Sequence, residues 1–263
     1  MKTIAVLIDF TEGSIIALQK ATNLAQVTHF SVAAIHIVSS PNKVANADIQ
    51  LDEFIHKHNT SDVTITTHVT IGGLVDGTQE ALRNINPELV IICTHGVVGV
   101  KQHVFGAQIL KLVQGLSYPS IVFRSNSTLD FGKIDKIMMP AGPHPEYMLK
   151  IKQTGYLANL LHATVLIYRI NRPGMEFEDI LIKNERDAIK YFEANNIPFT
   201  SIIEDFKVLS VGFSRQTLEF ATTNQIKIIS LMANVSRNDA LFGYGDKESF
   251  LVNENGITII TCN

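Results

Sequence analysis

The chain has 263 residues, 46% apolar and 18% charged, with 22 Lys and Arg against 25 Asp and Glu for a formal charge of −3. At roughly 150 residues per domain this is about two domains, each apolar enough for a packed core, which excludes a mainly disordered chain. The first 130 residues hold 8 basic and 10 acidic side chains and the remainder 14 and 15, so neither half has the cationic excess of a nucleic-acid binder.

Two cysteines, Cys93 and Cys262, are too few for a disulfide framework or a Cys-based zinc site. No apolar run approaches the ~20 residues that span a bilayer. Asp9 and Glu12 close the N-terminal apolar stretch too early for a signal peptide. The expectation is a reduced, cytoplasmic α/β protein that partners neither nucleic acid nor membrane.

In chain order, the run Ile4–Ile8 is followed by a polar turn, the helical pattern IIALQKATNLA and the apolar VAAIHIV. From Ile137 the order recurs as IMMPAG, YMLKIKQTGYLANLL and TVLIYRI. An offset of 133 pairs Asp9 with Gly142, Leu24 with Leu157, Ala25 with Ala158 and Val32 with Val165. Further on, an offset of 137 pairs Phe105-Gly106 with Phe242-Gly243 and PSIVFRSN with GITIITCN. A surface loop absorbs such a change of offset, so the pattern is a tandem duplication.

Strands are predicted at 3–9, 32–38, 64–70, 89–94 and 120–124, and again at 136–141, 164–170, 199–204, 227–232 and 257–261. Runs such as LVIIC are apolar throughout, as in strands covered on both faces. Helices are predicted at 13–27, 74–86, 104–116, 146–162, 178–195 and 213–224. Strand–helix alternation implies parallel strands with right-handed crossovers. The expected fold class is α/β, two tandem doubly wound five-stranded parallel sheets. The polar segment 126–135 places the boundary between domains 1–130 and 131–263. Segment 39–48 reads as a mobile loop.

Ligands of such sheets sit at the carboxyl ends of the strands where strand order reverses. That rule singles out the loops after the first and fourth strands. In the first, Asp9 can accept hydrogen bonds from a ribose hydroxyl or a base amino group. It can equally support a helix start with Thr11 or Ser14 as N-cap. In the second, Cys93-Thr94-His95-Gly96 and then Phe105-Gly106-Ala107-Gln108 precede a helix. Glycines there either admit an anion to backbone N–H groups or serve a turn. The P-loop pattern is absent. Ile71-Gly72-Gly73 reads as a strand-to-helix turn. No His set has metal-ligand spacing, Cys93 reads as a packed thiol, and no nucleophile–base pair stands out.

These residues resemble the universal stress protein family. IAVLIDFTEGSIIAL is similar to its first strand and turn, VAAIHIV to its second strand, and VTIGG to its third. CTHGVVGVKQHVFGAQILKLVQGLSYPSIVF is similar to its signature G-x2-G-x9-G-[ST]. Gly96 and Gly106 match the second and third glycines, while Cys93 stands at the first and Ala107 at the Ser/Thr position.

The resemblance implies two adenine nucleotide hydrolase-like domains packed as an intrachain pseudo-dimer through their last strands, with homodimers as a further assembly. It implies weak binding of ATP or AMP, with no metal beyond a nucleotide-associated Mg. Asp9 would contact the nucleoside, Ile37 would flank the base, and Gly96 and Gly106 would offer amides to phosphate. Cys93 would add bulk beside the ligand, and Ala107 and Gln108 would keep only backbone N–H groups. In the second copy Gly142 replaces the acid and Ser230-Leu231-Met232-Ala233 replaces the CTHG segment, so no nucleotide is expected there. The implied function is a stress-response sensor or regulator, with slow ATP hydrolysis at most. The alternative is a ligand-free scaffold acting through unidentified protein partners.

Overall fold

The computed structural model describes residues 1–94, 100–171, 178–207, 213–236 and 243–263, with side chains of 100–106 and 243–246 left aside. The chain divides into two compact units, Met1–Lys133 and Ile134–Asn263.

Unit 1 runs β1 (Thr3–Leu7), α1 (Glu12–Thr28), β2 (Ser31–Val38), α2 (Val44–His58), β3 (Ile65–Ile71), α3 (Leu74–Ile85), β4 (Leu89–Thr94), α4 (Val100–Gly115) and β5 (Ser120–Arg124). The strand order is β3-β2-β1-β4-β5, all parallel. Order reverses between β1 and β4, which defines the switch point. Ile4, Ala5, Val6, Val90 and Ile91 are fully buried, because helices cover both faces of the central strands.

Unit 2 repeats the plan with β6 (Lys136–Pro140), α5 (Tyr147–Leu160), β7 (Thr164–Asn171), α6 (Glu178–Ala194), β8 (Phe199–Asp205), α7 (Ser214–Thr223), β9 (Ile228–Met232), α8 (Gly243–Leu251) and β10 (Thr258–Cys262). Its parallel order is β8-β7-β6-β9-β10, with the switch between β6 and β9.

The duplication is visible in the ladders. Thr3 pairs with Ser31 and Leu7 with Ile35; 133 residues on, Lys136 pairs with Thr164 and Pro140 with Tyr168. The core follows: Leu24, Ala25 and Val32 are buried, and so are Leu157, Ala158 and Val165. Asp9 and Gly142 therefore each lie two residues past a switch-point strand.

The later offset differs from the sequence expectation. Ala5 pairs with Val90, and its equivalent Met138 pairs with Ile229. Val90 thus corresponds to Ile229, and Cys93 to Met232 rather than Ser230. The shift from the offset read in the sequence is even, so each side chain keeps its face of the sheet. This is why apolar patterning alone did not reveal it.

Two further expectations change. Segment 39–48 is not a loop throughout: a 3-10 turn at Pro41–Lys43 leads into α2 at Val44. That helix is amphipathic, burying Ala47, Leu51, Phe54 and Ile55, a spacing close to one helical face. Helix α4 begins at Val100, not at 104.

At the end of unit 1, residues 129–131 are held to α1. Asn23 accepts from the Phe131 amide at 2.8 Å and donates to Asp130 at 3.3 Å, and Lys20 donates to the Leu129 carbonyl. Phe131 is buried beneath this clasp. Burial lowers the Lys20 pKa, opposed by the neighbouring Asp130.

Candidate functional site

At the switch point of unit 1 lies a cavity of about 200 Å³. Its walls come from the ends of β1 (Leu7, Ile8, Asp9), β2 (Ile35, His36, Ile37) and β4 (Ile92, Cys93). Ser14 from α1, Leu74 from α3, and Gln108, Ile109 and Leu112 from α4 complete them. Four residues singled out in the sequence, Asp9, Ile37, Cys93 and Gln108, therefore meet around one cavity. Small-molecule pockets usually measure ≈ 300–1,000 Å³, so this space is smaller than a whole site of that kind.

The loop carrying Asp9 is internally braced. Asp9 Oδ1 accepts from the Thr11 amide at 3.1 Å, the Thr11 hydroxyl at 2.5 Å and the Ser14 hydroxyl at 2.5 Å. The Asp9 amide donates to Ser14 Oγ at 2.8 Å. Thr11 occupies the N-cap of α1 without a side-chain cap of its own. Helix support and a place on the cavity wall are thus both properties of Asp9.

Phe10 adopts φ 63°, a left-handed conformation costly for a bulky residue, about 1–3 kcal/mol. The neighbouring rings hold it there. Phe10 lies 4.4 Å from the His36 ring and 5.7 Å from Phe54, which in turn lies 4.7 Å from His58. His36 Nδ1 donates to the Ile8 carbonyl at 2.8 Å, which leaves Nε2 as the acceptor in the neutral ring. This aromatic row beside the cavity was not singled out as a unit in the sequence, because β1, β2 and α2 contribute to it from distant positions.

Cys93 carries a thiol pushed up to about 12 by burial and then by the Asp9 charge, partly offset by Lys20. A thiol so perturbed is a packing group, not a nucleophile. The turn at Gly72 is as expected, leading from β3 into α3 through the N-cap Gly73. Gly72 has φ 154°, and a Cβ on it would meet Gly77 Cα at 3.0 Å. A Cβ on Gly77 would in turn meet the Ile37 side chain at 3.0 Å.

The remaining expected contacts fall differently. Gly96 lies outside the described residues. Gly106, Ala107 and Gln108 lie inside α4 rather than at its start, and only the first four N–H groups of a helix lack an intrahelical partner. Ala107 is exposed. Among the described residues the cavity is apolar apart from Asp9, Ser14, His36, Cys93 and Gln108. Among the described residues no Lys or Arg lines it, and no group of three His, Cys, Asp or Glu that could hold a metal occurs. Nor is any described helix long and apolar enough to cross a membrane.

In unit 2 the equivalent place is a smaller cavity of about 90 Å³ with Leu231 and Met232 in its wall. Tyr147 stands where unit 1 has Ser14, and Lys150 where it has Ala17.

No family model matches the chain, and no curated protein sequence matches it. Solved structures do share its fold. A universal stress protein from Archaeoglobus fulgidus DSM 4304 aligns with TM-score 0.68 at 10% identity, over 99% of this chain and 96% of that one. A putative universal stress protein from Pseudomonas aeruginosa UCBPP-PA14 aligns at 0.63 and 15% identity, over 100% and 93%. A functionally unknown protein from Pseudomonas aeruginosa PAO1 aligns at 0.65 and 16% identity, over 100% and 92%. The fold is that of the universal stress proteins, two α/β units in tandem.

Proposed function

We propose that unit 1 binds an adenine nucleotide, ATP or AMP, weakly and through its nucleoside end. The chain then acts in the cytoplasm as a stress-response sensor or regulator. The observation that carries this is the meeting of Asp9, Ile37, Cys93 and Gln108 around the switch-point cavity. Asp9 and the β2 edge at His36–Ile37 would hold the ribose and base. Ala107 lacks the hydroxyl of the resembled signature, and a hydrogen bond to a charged group contributes roughly 1.5–3 kcal/mol. Affinity is accordingly reduced about ten- to a hundredfold.

Calorimetric titration with ATP, ADP, AMP and adenosine tests this. Saturable binding, with adenosine retaining much of the affinity and Asp9→Ala abolishing it, is the expected result. Gly106→Val tests whether the α4 backbone takes part. Absence of saturation at millimolar nucleotide defeats the reading.

A second reading is favoured by one observation: Asp9 Oδ1 already accepts three hydrogen bonds within its own loop. On that reading the loop is structural, and the chain is a ligand-free scaffold acting through protein association. Slow ATP hydrolysis has less support, since Ala107 lacks the hydroxyl of the resembled signature and no base stands out in the sequence.

A further inference from the structure

Helix α3 carries a glycine at a buried interior position, Gly77, where a helix ordinarily favours Ala. The reason lies on the side of α3 that faces β2. A Cβ on Gly77 would stand 3.0 Å from Ile37 Cγ2 and 3.4 Å from Gly72 Cα. Gly72 is itself tied to the end of β2, its amide donating to the Val38 carbonyl at 2.9 Å. Ile37 forms part of the wall of the unit 1 cavity, as does Leu74 at the start of α3. The methyl that Gly77 lacks is therefore the seat of a cavity-wall side chain.

Helix α3 has little room to retreat from that contact. At 3.6 residues per turn, positions 75 and 77 lie on nearly opposite sides of a helix. On the Val75 side, a Cβ on Gly115 of α4 would overlap the Val75 side chain. The helix is thus wedged between β2 and α4. A methyl added at Gly77 must be answered by Ile37, which is half-buried and borders the cavity. Contact at such a distance makes the neighbour give by a few tenths of an ångström, and close-packed interiors transmit a shift of that size.

We propose that Gly77 is a specificity-determining residue of unit 1. By lacking a Cβ it holds Ile37 back from the cavity and keeps space on the base side for a two-ring base. The proposal rests on the nucleotide reading of unit 1, in which Ile37 flanks the base. A purine buries more surface than a pyrimidine, which favours it in the wild type, and it is the first to meet a wall moved inward.

Adenosine and cytidine, titrated against the full chain by calorimetry, test this. The wild type should bind adenosine more tightly. Gly77→Ala should weaken adenosine about fivefold or more and cytidine by less than about twofold, in a chain whose circular dichroism matches wild type. Leu has no γ2 methyl, so in an Ile37→Leu background Gly77→Ala should leave both affinities unchanged. A purely structural role of Gly77 would lower both affinities together. Failure of the wild type to bind adenosine overturns the nucleotide reading and this proposal with it. Wild-type binding with the same adenosine-to-cytidine ratio in Gly77→Ala overturns this proposal alone, and so does a loss that persists in the Ile37→Leu background. Should Gly77→Ala fail to fold by itself, the comparison within the Ile37→Leu background decides.

Discussion

Asp9 and Gly142 hold equivalent positions in two sheets of one topology, each two residues past the strand at the switch point. In unit 1 the Asp9 carboxylate is bound to Thr11 and Ser14. In unit 2 a side chain at Gly142 would enter open space. Thr11 and Ser14 have become His144 and Tyr147, so the bracing partners were exchanged together with the acid. The acid and its two bracing residues together thus separate a polar loop from a carbon-walled hollow at the end of the strand.

The first prediction concerns that loop. Ser14 is buried, donates to Asp9 Oδ1 and accepts from the Asp9 amide. Ser14→Ala removes both contacts and leaves a carboxylate and an amide short of partners. Hydrogen bonds to charged groups contribute about 1.5–3 kcal/mol. Urea denaturation should show a loss of that size with an unchanged slope. A change under about 0.5 kcal/mol, the usual range of surface substitutions, would mean that the bracing contributes little.

The thiols give a pH prediction. Burial raises both Cys93, to about 12, and Cys262. Below the ordinary value of 9.0 both states carry the proton, so Cys93 makes stability insensitive to pH there. Between 9.0 and about 12 the unfolded thiol ionises and the folded one does not. Stability attributable to it falls as pH rises, by at most about 1.4 kcal/mol per pH unit. A thiol reagent at pH 8 should modify neither cysteine of the folded chain at an appreciable rate, and both on unfolding. Rapid modification of Cys93 in the folded chain would show that it is not held neutral.

Gly155 is the third case. It lies within α5, where Ala would ordinarily be favoured over Gly by about 0.8–1 kcal/mol. Here a Cβ would meet Ile197 Cδ1 at 2.7 Å and Phe192 Cε1 at 3.2 Å, and Phe192 is fully buried. Overpacking costs about 1–3 kcal/mol, so it outweighs the helix gain. Gly155→Ala should destabilise the chain, and Ile197→Val in the same chain should recover part of the loss. A more stable single variant would show that Ile197 moves aside at little cost.

The ten strands were legible because each is a short apolar run between polar turns, and central parallel strands need both faces apolar. Helix α2 was obscured at its start by Pro41, Asn42 and Lys43, and its buried face is only Ala47, Leu51, Phe54 and Ile55. The nearness of Asp9, Ile37 and Cys93 followed from topology, since the switch point gathers the ends of β1, β2 and β4. Three features were not legible. The true partner of Cys93, Met232, depends on strand register, which apolar runs of nearly uniform character do not mark. The early start of α4 lies in a stretch whose glycines look like a turn. The hollow of unit 2 borders Gly142, where a Cβ would meet nothing within 4 Å, and no local pattern records an empty space.

A last prediction separates the acid from its setting. Gly142→Asp restores the residue type of unit 1 at a position with room for it, so the chain should fold. Yet Tyr147 replaces the Ser14 hydroxyl beside it, and Leu231 and Met232 keep the wall apolar. A carboxylate placed there lacks the hydroxyl partners that Thr11 and Ser14 give Asp9. In an Asp9→Ala background, Gly142→Asp should not restore binding of adenosine or AMP by calorimetry. Adenosine binding regained by this one change would show that the acid alone defines a nucleoside site in this fold, whatever surrounds it.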